Sequence, residues 1–238
     1  MEIILISLLT FVAAFVGTLS GFGLSTIMLP VMVLTLPFPI ALLFVGIIHF
    51  FSDLWKVMLF REGLNWKLLA YFGIPGMLAS FLGAQVALTS PQDMLVKFLG
   101  VLLVCYVVFI TFDPEFKLPE NSLTSAIGGV LSGIMAGIFG TGGAIRGAFL
   151  SAFELPKHIY IFSTGALGMA IDTTRMIGYL SGGITLSKTL MLGLLVYIPI
   201  SLIAAEIAKK YVDSIPQNKF RAAVSVFLFF IGIRLLTQ

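Results

Sequence analysis

Apolar residues in this chain fall in long unbroken runs, separated by short stops rich in glycine, proline or charge. They do not alternate with polar residues as in a half-buried strand. The runs cover about 3–20, 24–36, 39–60, 67–88 and 93–112, then about 122–139, 144–155, 157–180, 187–208 and 218–236. Gly21, Gly23, Pro37, Gly63, Pro91 and Asp113-Pro114 punctuate the first set. Gly140, Gly142, Gly143, Pro156, Gly182, Gly183 and Pro216 punctuate the second. A helix of ~20 residues spans a ~30 Å hydrocarbon core, so most runs predict membrane-crossing helices. The runs at 24–36 and 144–155 are shorter and each follows a glycine-rich break, which predicts half-helices of re-entrant hairpins. A β-barrel is excluded because its strands would be short and strictly alternating.

The two sets repeat one another. Shifted by 119 or 120 residues, the stretch Gly17–Gly23 falls on Gly137–Gly143, and Asp53-Leu54-Trp55-Lys56 falls on Asp172-Thr173-Thr174-Arg175. A slightly larger shift places Pro91-Gln92-Asp93 on Pro216-Gln217-Asn218. This divides the chain into a first transmembrane repeat at 1–112, a polar linker at 113–121 and a second repeat at 122–238. Duplicated halves are characteristic of secondary transporters.

Basic residues set the expected orientation. If 3–36 is a hairpin returning to its starting side, Arg61, Lys67, Lys117, Lys157, Lys209, Lys210, Lys219 and Arg221 share one side, against Lys188 and Arg234 on the other. If 3–36 crosses once, the two sides divide evenly. The positive-inside rule selects the first arrangement. The fold class expected is therefore an all-α polytopic membrane protein of two inverted repeats. Each repeat is a re-entrant helical hairpin plus three transmembrane helices, in a plasma (inner) membrane with both termini outside.

Composition agrees with lipid as the solvent: 59% of residues are hydrophobic and 11% charged, whereas a soluble domain carries about 25% charged residues. The net charge of +3 reflects basic loops and gives no reason to expect nucleic acid as a partner. The single cysteine, Cys105, has no intrachain partner. The start of the chain lacks the basic region of a secretory signal, so the first run is expected to remain as a span.

Three features could carry chemistry. First, a backbone that leaves the helix inside a membrane must line a cavity or be buried in protein. The helix N-termini after Gly23 and Gly143 would then attract anions. The competing reading is close helix packing, a pattern already present at Gly129, Gly133 and Gly137. Second, Asp53 with Lys56 and Asp172 with Arg175 lie three apart inside apolar runs, where ionised groups are costly. They predict gating or proton coupling, or a structural pair joining helices. In an inverted repeat they should stand toward opposite faces. The alternative reading is that Lys56 and Arg175 snorkel to nearby loops. Third, Arg146 follows Gly142-Gly143-Ala144, where the repeat places Thr26, and a guanidinium there would bind an oxyanion unless it too snorkels. Ser20, Ser25, Thr26, Ser163 and Thr164 could add hydroxyls. Glu206 reads as an interfacial acid or a proton carrier. His49, four residues before Asp53, could titrate with it, with a satisfied bundle histidine as the plainer reading; His158 reads as interfacial. No Gly-x-Ser-Gly turn, Walker motif or Cys/His cluster is present, so no enzyme activity, cofactor or metal is expected.

The glycine-rich hairpins, Phe139-Gly140-Thr141-Gly142-Gly143 and the duplicated layout resemble the sulfite exporter TauE/SafE family of membrane transporters over almost the whole chain. Ala144 ends the glycine run early, and Leu150 stands where that family commonly has proline. The first motif is thinned to Gly21-Phe22-Gly23, with Pro30 retained. The resemblance implies movement of small sulfur-containing or organic anions such as sulfite, sulfonates or sulfoacetate, often outward. The function expected is a secondary active transporter of such an anion by alternating access, with possible proton coupling. An anion channel or a structural membrane assembly protein are the alternatives. Ser20, Gly21, Gly23, Ser25, Thr26, Gly140, Thr141, Gly142, Gly143 and Arg146 are expected to frame the substrate. Asp53, Lys56, Asp172 and Arg175 are expected to gate or couple. The partners expected are the anion, the bilayer and, as one possibility, a second copy of the chain.

Overall fold

The computed structural model describes residues 2–61, 65–112, 118–214 and 228–237, and among these every regular element is a helix. In chain order they are α1 (Glu2–Ser20), α2 (Ser25–Met32), α3 (Phe38–Leu59), α4 (Trp66–Thr89), α5 (Gln92–Phe112), α6 (Ser122–Phe139), α7 (Gly142–Ala152), α8 (Lys157–Ser181) and α9 (Lys188–Tyr211). The chain is helical again over 228–236 (α10). Linker positions Asp113, Glu115 and Lys117, the Pro216-Gln217-Asn218 match, and the basic residues Lys219 and Arg221 lie outside the described residues.

Ile3–Ser20, Phe38–Leu59, Trp66–Thr89, Ser122–Phe139 and Lys188–Tyr211 are long and apolar enough to cross a bilayer. α8 is longer still, but it carries the charged pair Asp172 and Arg175. Large apolar side chains such as Ile4, Leu78, Leu82, Leu123 and Leu195 face outward. A surface of this kind suits lipid rather than water. The molecule is a polytopic helical membrane protein.

α2 and α7, with 8 and 11 residues, rise only about 12 and 16 Å at 1.5 Å per residue and cannot cross. α1 and α6, by contrast, are span-length at 19 and 18 residues. Each hairpin therefore joins a full helix to a short one. The reason lies in the connecting glycines: Gly21, Gly23 and Gly140 take φ of +74°, +80° and +64°, a region that side chains with a Cβ rarely adopt. Gly140 ends α6 in the left-handed conformation, with its N–H bonded back to Ala136 O, a common helix stop.

The helices pack in matched pairs. α3 lies against α8 at the centre; α4 packs on α6 and α8, while α9 packs on α1 and α3. α1 meets α2 as α6 meets α7, and α2 meets α3 as α7 meets α8. Exchanging α1–α4 for α6–α9 maps this set of pairings onto itself. α5 and α10 meet through Gly100 and Gly232, each lying against the other's carbonyl. The glycines at 129, 133 and 137 do serve packing, since a Cβ there would strike the backbone of Phe72, Gly76 and Ser80 on α4. Without a hydrophobic driving force between helices in lipid, such close backbone approach supplies the dispersion energy that holds them.

Candidate functional site

The two chain breaks meet each other. A Cβ on Gly143 would overlap the carbonyl oxygen of Phe22, and one on Gly23 would overlap Nε2 of His49. A Cβ on Gly140 would approach Leu29 and Leu42 and lie 3.2 Å from Nη1 of Arg175. Residues 21–30 and 140–144 are all buried. The non-helical backbone thus sits in protein at the junction of α2, α3, α7 and α8, as the cost of exposing it to hydrocarbon requires.

Six ionisable side chains converge beside these breaks. Lys56 Nζ donates to Oδ1 of Asp53 at 2.7 Å, and Arg175 Nε donates to Oδ1 of Asp172 at 2.7 Å. Each pair joins residues three apart on one helix, as the spacing predicts. His49 then links the pairs: its Nδ1 lies 2.6 Å from Oδ2 of Asp172, and its Nε2 lies 3.6 Å from Oδ2 of Asp53. Arg146, from α7, brings Nη2 to 3.4 Å from that same Oδ2 of Asp53. The two pairs, expected toward opposite faces in an inverted repeat, meet through His49 in one cluster. Both pairs lie on α3 and α8, the two helices in contact across the repeat, so their partners can meet.

Burial removes the snorkelling readings. Lys56 is 0% exposed, and Arg146 and Arg175 are each 1% exposed. A buried cation must be paired or it destabilises the fold by several kcal/mol. Here the pairing is incomplete. Lys56, Arg146 and Arg175 bring three positive charges against two from Asp53 and Asp172, so with neutral His49 the cluster carries one positive charge in excess. Arg146 Nε and Arg175 Nη1 have no hydrogen-bond acceptor among the described residues. The ligand-capable atoms of His49, Asp53 and Asp172 lie within 4.8 Å of one another. Yet three cationic side chains already hold those carboxylates, and a metal ion would add to a surplus of positive charge. The cluster is suited to an anion.

The hydroxyls expected to help are otherwise engaged. Ser20 Oγ donates to Val16 O at 2.9 Å and accepts from Phe22 N at 3.2 Å; Thr26 Oγ1 donates to Phe22 O at 2.9 Å. They shape the first break instead of offering hydrogens to a ligand. Thr164 likewise donates to Ile161 O. Ser25 and Thr141 are buried at the starts of α2 and α7, and neither helix has a side-chain cap bond. Glu206 is exposed, away from the cluster. His158, 3.5 Å from Asp213, is 39% exposed.

Two residues of the site were not anticipated. Gly168 on α8 faces the Asp53–Arg146 contact: a Cβ there would overlap Asp53 Oδ2 and come within 2.7 Å of Arg146 Nη2. Tyr160 lies against the first break, where its hydroxyl donates to Ser20 O at 2.8 Å. It also lines a polar recess of about 240 Å³ with Ser151, Glu154, Leu155 and Lys157, at the α7–α8 turn. A second recess of about 240 Å³ lies at the corresponding α2–α3 turn, lined by Val33, Leu36, Pro37, Phe38 and the start of α5 with Asp93 and Lys97.

Two helical breaks packed around a buried cluster of charged side chains suit a membrane transport protein. The chain matches the sulfite exporter TauE/SafE family over residues 6–235 and belongs to that family. Neither a curated protein nor a solved structure matches it.

Proposed function

We propose that the chain is a secondary transporter of a small sulfur-containing or organic oxyanion, such as sulfite, a sulfonate or sulfoacetate, and that it works by alternating access. The observation that carries this reading is the surplus cation buried where two backbone breaks meet, with N–H groups on Arg146 and Arg175 that lack acceptors among the described residues. A guanidinium presents paired N–H donors in a plane that fits the oxygens of an oxyanion. The sulfur preference comes from the family to which the chain belongs; the residues themselves select only a compact oxyanion.

The carrier consists of two inverted halves, 1–112 and 122–238, joined by the linker at 113–121, in the plasma membrane with both termini outside. The self-consistent exchange of helix pairings supports the two-half reading. So do the two recesses at the α2–α3 and α7–α8 turns, which would serve opposite faces of an inverted repeat. The backbone of Gly21, Gly23, Gly140, Gly142 and Gly143 walls the site. Arg146 neutralises the anion with help from Arg175. The Asp53–Lys56 and Asp172–Arg175 pairs rearrange as access alternates. Full burial of the cluster favours a carrier over a channel, since a conducting pore needs a continuous water path.

Purified protein in proteoliposomes provides the test. Flux of one or more of sulfite, thiosulfate, sulfonates and short carboxylates should saturate with concentration, and the bound anion should raise the melting temperature in detergent. Ohmic conductance would replace the carrier with a channel; no anion binding at all would overturn the proposal.

A further inference from the structure

We infer that His49 is the proton-binding residue of this carrier, and that a proton on its Nε2 and the anion are bound together; the inference rests on the anion reading above. His49 is 1% exposed and stands between the two carboxylates. The 2.6 Å contact to Asp172 Oδ2 requires a hydrogen on Nδ1, because two acceptors at that distance would repel. In the neutral ring Nε2 is then a lone pair. It has no hydrogen-bond partner among the described residues, lies against the backbone at Gly23, and is 3.6 Å from Asp53 Oδ2. That distance is too long for a hydrogen bond.

The consequence follows from a shared oxygen. Asp53 Oδ2 is approached by His49 Nε2 at 3.6 Å and by Arg146 Nη2 at 3.4 Å. When a proton from the aqueous side adds to Nε2, a new N–H bond forms, the ring becomes an imidazolium, and that N–H is aimed at Asp53 Oδ2. It takes the place of Arg146, whose guanidinium is released toward the anion. When the anion leaves, Arg146 returns to Asp53 and the proton departs to water. The same charges enforce the coupling: a proton raises the cluster from one to two positive charges, and a monoanion restores it to one. Linkage is reciprocal, so the proton tightens the anion and the anion tightens the proton.

The other charged groups that face His49 are those already placed. Its own helix supplies Asp53 and Lys56; α8 supplies Asp172 and Arg175; α7 supplies Arg146. α9 meets α3 through the uncharged contacts of Tyr197 with Phe44 and Ser201 with Trp55, and through Lys209, which donates to Leu59 O ten residues along α3 from His49. α2 approaches with the backbone of Gly23, and α1 with the uncharged Thr18 among its buried side chains.

The chain has two histidines, so His158→Gln leaves His49 as the one histidine and removes a half-exposed ring that touches Asp213 and Phe60, outside the cluster. Imidazole ¹⁵N spectra of that variant, with thiosulfate or methanesulfonate as probe, read the tautomer directly. The expected result is Nδ1–H without anion and both nitrogens protonated once anion is added near neutral pH. Anion affinity should rise roughly tenfold per unit of falling pH across the titration, with about one proton taken up per anion when binding heats are compared in two buffers. His49→Gln should bind the anion with no pH slope and no proton uptake. Anion binding without proton uptake, or an undiminished pH slope in His49→Gln, overturns the inference while leaving the anion carrier standing. Absence of binding by both probes overturns the two together. If His49→Gln does not fold, the ¹⁵N spectrum alone decides.

Discussion

Nδ1 of His49 and Oδ2 of Asp172 meet at 2.6 Å although 123 residues separate them in the chain. This bond joins α3 to α8 and merges two duplicated ion pairs into one cluster. It also makes Asp172 the acceptor for both Arg175 and His49. Neutralising it as Asp172→Asn leaves Arg175 buried without its counter-charge, a change that typically costs about 3–5 kcal/mol. The thermal melt in detergent should therefore fall by many degrees.

Arg175→Gln in the same protein should recover part of that loss, since the uncompensated cation is removed with its partner. Exchange of the two charges, as Asp172→Arg with Arg175→Asp, should retain more flux than either single reversal. It should stay below wild type because His49 loses its acceptor. Additive losses in the double-mutant cycle would show that the pair is not coupled.

Gly168→Ala should block the site while changing a single methyl group. The added Cβ overlaps Asp53 Oδ2, and neither Asp53 nor Arg146 can retreat without breaking a buried contact. Transport should fall by at least about tenfold, with overpacking costing about 1–3 kcal/mol of stability. Wild-type flux in Gly168→Ala would mean that the Asp53–Arg146 contact is not part of the transport path.

Tyr160→Phe removes the hydroxyl that donates to Ser20 O at the first break. Loss of one buried hydrogen bond is worth about 1 kcal/mol. A drop of a few degrees in melting temperature is expected, together with a faster rate of opening toward the α7–α8 recess. Accessibility of a cysteine placed at Ser151 to a water-soluble maleimide measures the latter.

Orientation is tested by the same reagent. In a Cys105→Ser background, Arg61→Cys and Lys209→Cys should label only from the cytoplasmic side, and Lys188→Cys only from outside. Labelling of Arg61→Cys and Lys188→Cys from one side, with Lys209→Cys from the other, would contradict the inverted arrangement.

The sequence made much of this visible, and the limits of its legibility have a physical origin. Glycine pairs inside apolar runs announced the breaks because only glycine accepts the positive φ found at Gly21, Gly23 and Gly140. Charges in apolar segments announced Asp53, Lys56, Asp172 and Arg175, because lipid would not tolerate them unpaired. What spacing along one helix could not reveal was the partner across the bundle. His49 was visible as the i, i+4 neighbour of Asp53, but its short contact is with Asp172 on another helix. Gly168 looked like any small residue of a membrane helix; its role depends on α7 delivering Arg146 opposite it. Nor does the repeat reveal that the two pairs share one cluster, which follows from the contact of α3 with α8.

In the proposed carrier, Arg146 is the charge that meets the substrate. Equilibrium binding of the preferred anion to detergent-solubilised wild type and Arg146→Gln, with melting temperature recorded on each, measures this directly. A charged hydrogen bond contributes about 1.5–3 kcal/mol. Affinity should therefore drop by roughly tenfold to a hundredfold in Arg146→Gln, while the unliganded protein stays folded. Unchanged affinity in a folded Arg146→Gln protein would contradict the proposed site.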